Sequence, residues 1–236
     1  VSGLAIPLTV AQVEAAASLH QRLESWAISD RALKLLRQRC PGFGAEATLL
    51  KVVGINQLYG TNVYAVGRMA AHITQTLAQH PPLPGADLDA DIALVERIAA
   101  LPKAANQQRA YTHTSFASKF AHFFIAGDRF PIYDEYAARM VAYHLGKARH
   151  TEPTRPYRAF VRNIDLLRNR AGLTCGLVAL DRYLWLAGLY RAWQRNPAGP
   201  LNVEVARLFS TATPQTAVVL ATLLPDIAEQ AFTVGL

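Results

Sequence analysis

The chain has 236 residues, 51% of them hydrophobic and 17% charged, which excludes a disordered polymer and suits one large domain or two joined helical lobes. Its 24 Lys and Arg against 17 Asp and Glu leave a formal charge of +7, a balance that favours polyanionic partners. Cys40 and Cys175 are too few and too distant for a disulfide framework or a cysteine metal cluster, and each apolar run is broken before it reaches the length of a membrane span.

Val1 to Val10 lacks the basic flank and small-residue cleavage site of a signal peptide, so a cytoplasmic protein is expected. Val13, Ala16, Leu19, Leu23 and Trp26 recur at three or four residues and predict one helix from Val10 to Trp26. Ser29 or Asp30 is placed to cap a second, Arg31 to Arg39, which Pro41-Gly42 ends. Two more are expected over Ala45–Ile55 and Thr61–Leu77, separated or kinked near Gly60. A loop runs from His80 through Pro81, Pro82, Pro84 and Gly85 to Asp87, and a helix follows over Asp91–Leu101, closed by Pro102. Residues 114–126 and 134–145 read as helices around a short extended break, Phe130-Pro131-Ile132-Tyr133. After a polar loop from Gly146 to Pro156 come helices over Tyr157–Arg168 and Thr174–Trp193, a linker at Asn196–Pro200, and short helices from Asn202 to Phe232 split at Pro214 and near Pro225. No internal repeat and no alternating strand pattern is present, and the fold class is all-α.

The segment with most chemistry runs from Ser115 to Asp134. It sets Lys119 near the start of an apolar helix, where desolvation can turn an ammonium into a usable amine nucleophile. Asp134 follows the Pro-restricted extended segment at the N-cap of the next helix, where backbone N–H groups favour its ionised form. A solvent-facing lysine and an ordinary cap form the plainer alternative for these two residues.

This segment resembles the helix-hairpin-helix DNA glycosylases of the 8-oxoguanine type. Ser115-Phe116-Ala117-Ser118-Lys119 is similar to that family's Gly-apolar-Gly-x-Lys hairpin, with Ser115 and Ala117 in place of the glycines. Ala121 matches the alanine of the following helix, and Pro131-Ile132-Tyr133-Asp134 matches the aspartate turn with one extra residue. The resemblance implies a two-lobed helical protein with a cleft between its N-terminal helices and the Lys119–Asp134 unit. It makes Lys119 the nucleophile at C1′ of an extruded nucleotide and Asp134 the stabiliser of the oxocarbenium-like transition state.

The same resemblance extends roughly from Ala45 to Trp193. Asn56 to Val63 looks like the family's Asn-rich turn, which implies that Gly60, Thr61 and Asn62 approach the gap left by the extruded base; for Asn62, a helix cap is the alternative. Asp181 and Trp185, four apart on one helix face, resemble the base-reading pair of archaeal 8-oxoguanine glycosylases; Phe123, one turn after Lys119, is placed either as the opposite wall of the pocket or as a core residue. A core tryptophan beside an exposed aspartate is the plain reading of that pair. Ser115, Ala117 and Ser118 are expected near phosphate, as are Arg158 and Arg162 within a basic cluster that also holds Arg149, Arg155, Arg168 and Arg170; a solvated basic face is the alternative.

Residues 1–196 are thus expected to form the glycosylase-like part and 197–236 a helical extension. The expected partner is double-stranded DNA with an extruded base, met by a monomer without metal or cofactor; no four-cysteine set for an iron–sulfur cluster is present. The implied reaction is excision of a damaged or modified base, an oxidised purine favoured, with β-lyase activity. Two other readings stand beside it: a DNA-binding or antiviral-defence protein that keeps the fold without cutting glycosidic bonds, and a helical protein–protein module.

Overall fold

A computed structural model describes residues 3–82, 85, 87–103, 111–147, 156–210 and 213–225. Among them the chain is all-helical, with eleven α-helices and no strand. It divides into two compact units: Val1–Ile28 with Asp134–Glu152 and Arg162–Leu236, and Ser29–Tyr133 with Pro153–Val161. Among the described residues no helix is long and apolar enough to cross a membrane.

The first unit is built on α1 (Val10–His20), α7 (Glu135–Leu145) and α9 (Leu177–Arg195), with α10 (Val203–Ser210) against α9 and α11 (Pro214–Leu223) against α1. Thr9 opens α1 through a capping box with Gln12. The amide of Gln12 then donates to the Tyr183 hydroxyl and the Leu223 carbonyl, both at 3.4 Å, tying α1 to α9 and the end of α11. α7 and α9 approach closely because residue 188 is glycine: a Cβ there would lie 2.6 Å from the Tyr136 carbonyl oxygen. Pro214 opens α11 at its first turn, behind the N-cap Thr213.

One expected helix proves to be two. The span Val10–Trp26 breaks after His20, where the Arg22 and Leu23 N–H groups turn back to the Leu19 and His20 carbonyls at 3.0 and 3.1 Å. α2 (Glu24–Arg39) therefore starts before the expected Arg31, and Ser29 and Asp30 lie inside it rather than at its cap. The tight turn leaves Leu19 and Leu23 both wholly buried, so the apolar spacing runs through the break unmarked.

The second unit holds most of α2, then α3 (Ala45–Tyr59), α4 (Val66–Gln79), α5 (Leu88–Ala99) and α6 (Thr114–Phe124), with the first residues of α8 (Pro156–Ala171). α3 packs on α4 and α6, and α5 on α4 and α6. Val52, Ile55, Met69, Ile73, Ile92, Phe116 and Phe120 fill its core. Lys51 is enclosed there as well, its Nζ donating to the Gly42 carbonyl and lying 4.5 Å from the Phe43 ring centroid. Burial lowers its pKa, with Cys40 opposing and Arg37 reinforcing the effect.

Candidate functional site

Lys119 is inside α6, one turn after Ser115 and one turn before Phe123, so the three share a helix face. Its Nζ donates to the Ser115 hydroxyl at 2.7 Å and sits 6.0 Å from the Tyr59 ring centroid. The side chain is only 7% exposed. Tyr59 and Phe123 pack on each other at 5.3 Å, and the Tyr59 hydroxyl donates to Asp30 at 2.6 Å, so the aromatic ring beside the amine is fixed from α2. Lys51 is the useful contrast: at 1% exposure, boxed by two phenylalanines, it packs the core with no surface to offer a substrate.

The hairpin expected at Ser115–Lys119 is instead the first part of α6, which runs from Thr114 without a turn. Serine and alanine, unlike the two glycines they replace, favour continuous helix over left-handed backbone. Ala117 and Ser118 are wholly buried. Ser118 serves the chain that follows α6 rather than a phosphate. Its hydroxyl donates to the Ser115 carbonyl at 3.1 Å and accepts from the Tyr133 N–H at 3.0 Å. His122 donates through Nδ1 to the Phe130 carbonyl at 2.9 Å, and the Tyr157 hydroxyl donates to the Pro131 carbonyl at 3.3 Å. The extended segment Phe130–Tyr133 is thereby pinned onto α6. Sequence reading gives Ser118 no such role, because a serine in an apolar helix does not announce which distant N–H it serves.

Gly60, Thr61 and Asn62 form the loop between α3 and α4. The expected helix start at Thr61 is not found: α4 begins at Val66 with Ala65 as its N-cap, so Asn62 is not a helix cap. Gly60 is left-handed at φ 56°, and Asn62 at φ 55° is the one non-glycine residue of positive φ among those described. Asn56 holds the loop: its Oδ1 accepts from Thr61 Oγ1 at 3.0 Å and the Val63 N–H at 2.8 Å, and its amide donates to the Val63 carbonyl at 3.2 Å. The reversals at Gly60 and Asn62, followed by a buried Val63, throw Tyr64 outward, at 93% exposure. Sequence reading misses Tyr64, since a tyrosine beside apolar neighbours reads as core.

In the first unit, Asp134 is the N-cap of α7, its carboxylate accepting from the Ala137 N–H at 2.7 Å. Asp181 is buried on α9. Trp185 packs against Trp26 at 4.7 Å and His20 at 6.2 Å, so its ring stands in an aromatic group supplied by α1 and α2. Arg162 is exposed on α8, whereas Arg158, in the second unit, pairs with Asp89 at 2.6 Å and more distantly with Glu96. Arg168 donates to the Cys175 carbonyl at 3.3 Å. Arg158 and Arg168 of the basic cluster are thus tied to partners in the fold; Arg149 and Arg155 lie outside the described residues. Lys119, Phe123, Ser115 and the Gly60–Asn62 loop share one unit, while Asp134, Asp181, Trp185 and Arg162 share the other.

Residues 12–128 match the HI_0787_N family model, which describes an N-terminal domain. The span is just under half of the chain; it takes in Lys119, Phe123 and the Asn56-held loop and stops short of Asp134. No curated protein and no solved structure matches the chain.

Proposed function

We propose that the chain is a DNA N-glycosylase with β-lyase activity that extrudes and excises a damaged or modified base, an oxidised purine favoured. The observation that carries this reading is the setting of Lys119: a nearly buried amine on the aromatic face of α6, oriented by Ser115 and flanked by Tyr59. In the reaction, the unprotonated amine attacks C1′ of the extruded nucleotide. The C1′–N bond breaks, the base leaves with a proton, and ring opening gives an imine on Lys119. By the sequence resemblance alone, the Asp134 carboxylate is assigned to offset the positive charge that develops on the sugar. Ser115, accepting from Nζ, orients the lone pair's approach.

DNA as the partner is supported by the +7 formal charge and by the Asn56-held loop, whose rigid tip presents Asn62 and a solvent-facing Tyr64. An aromatic ring on a stiff loop stacks in the space an extruded base leaves, offsetting part of the unstacking cost of a few kcal/mol.

Borohydride reduction during incubation with duplexes bearing 8-oxoguanine or other modified bases tests the proposal. The expected result is a covalent protein–DNA adduct that Lys119→Gln abolishes. Base release without any adduct would mean that water is the nucleophile. Salt-dependent duplex binding with no base released and no adduct, across the modified bases, would leave a binding or defence protein on a glycosylase-like sequence.

A further inference from the structure

The first unit holds a set of cations for which the base-excision reading has no use. α7 carries Arg139 one turn before Tyr143, and Lys147 follows Gly146, the left-handed C-cap of that helix. α9 carries Arg191 and Arg195, four apart and on one face. Where α7 and α9 pack, these four side chains line one open cavity of about 460 Å³, with Tyr143 among them and the segment at Ala5 and Ile6 as a further wall. That wall is held in place: the Ala5 and Ile6 N–H groups both donate to the His144 carbonyl, at 3.0 and 3.2 Å.

Among the described residues no carboxylate lines the cavity. Arg139 pairs with Glu135 one turn back along α7, and Lys147 donates to Asn163 at 2.5 Å. Arg191 lies over the Tyr143 ring, 3.8 Å from its centroid, which supports the flat of the guanidinium and leaves its N–H edge for an acceptor. Burial, and secondarily the charge of Arg195, press against the Arg191 cation. The Tyr143 hydroxyl is buried with no hydrogen-bond partner among the described residues. Four cations around one concavity repel each other, and of the four only Arg139 has a carboxylate partner among the described residues. A compact anion with more than one charge offsets that repulsion and supplies the acceptors.

We infer that this cavity binds a phosphomonoester or pyrophosphate group. Several cations converging on a space of this size fit two or more negative charges at one point better than the single charge of an internal phosphodiester. A free phosphorylated nucleotide and the phosphorylated end of a nucleic-acid strand share this chemistry. The inference is independent of Lys119 and stands or falls apart from base excision.

The test is calorimetric titration of inorganic pyrophosphate into the full chain and into Arg191→Gln and Arg195→Gln. Arg195 is exposed, so its variant keeps the fold, which a matching melting curve verifies. Binding that weakens at least tenfold in each variant is expected. A second arm compares a single-stranded oligonucleotide with and without a 5′-phosphate, alongside a nucleoside 5′-monophosphate. Tighter binding of the phosphorylated strand, lost in Arg195→Gln, identifies a strand end; mononucleotide binding with no preference between the two strands identifies a free ligand. No pyrophosphate binding by the wild type, or equal binding by wild type and both variants, overturns the inference.

Discussion

Tyr183 donates its hydroxyl proton to Nε2 of His144 across 2.8 Å. The direction follows from the other side of the ring, where Nδ1 faces the Ile6 carbonyl at 3.0 Å; a carbonyl only accepts, so Nδ1 carries the proton and Nε2 is the acceptor. Burial raises the Tyr183 pKa, keeping the phenol a donor, and pushes His144 down to about 4, so the imidazole is neutral in the fold. One buried histidine thereby fastens the segment before α1 to α7 and α9.

A pH dependence follows. The unfolded histidine takes up a proton near its ordinary 6.5, the folded one only near 4. The stabilisation is full above the higher value and is lost as pH falls toward the lower. Between pH 7 and pH 5 this group removes about 2 kcal/mol of unfolding free energy. Urea midpoints at the two pH values measure it, and His144→Gln should show a correspondingly flatter dependence; equal slopes in both proteins would refute the assignment.

Gly188→Ala should destabilise, against the usual gain of about 0.5–1 kcal/mol for that exchange inside a helix. Its methyl would meet the Tyr136 carbonyl oxygen at 2.6 Å and its carbon at 2.9 Å, forcing α7 from α9 at a cost of about 1–3 kcal/mol. A urea midpoint unchanged or raised would show that the crossing tolerates the methyl.

Asp134 has two separable duties, cap and charge. Asparagine caps a helix as well as aspartate, so Asp134→Asn should hold stability within about 0.5 kcal/mol, while Asp134→Ala loses about 1 kcal/mol with the bond to Ala137. On the proposed reaction both variants lower the rate of borohydride-trapped adduct, by about a hundredfold. Full adduct formation by Asp134→Asn would assign the carboxylate to structure alone.

At the loop tip, Asn62→Val should cost about 1–2 kcal/mol, because a β-branched residue resists the left-handed backbone that asparagine tolerates, and Asn62→Gly should be close to neutral. Tyr64→Ala should leave stability within about 0.5 kcal/mol, its ring being solvent-facing. If Tyr64 stacks in the duplex, the same variant weakens DNA binding about tenfold in a filter or fluorescence assay. Undiminished affinity would remove the tyrosine from the interface.

The all-helical class was written in the sequence because burial repeats at three to four residues almost everywhere, and that spacing belongs to one element type. Pro and Gly marked several ends: Pro102 follows α5, Gly146 caps α7 and Pro214 opens α11. Lys119 on an apolar helix and Asp134 at a cap were equally legible, since both depend on near neighbours in the chain. The break at Gln21–Leu23 was not, because a turn that keeps Leu19 and Leu23 inside preserves the apolar rhythm. Only the tertiary structure decided what Ser118, Asn56 and His144 hold, that Tyr64 faces water while Tyr183 is sealed, and that four cations from α7 and α9 line one cavity. A side chain's neighbours across the fold are set by how helices pack against each other, and the order of residues along one helix carries no record of its partner's face.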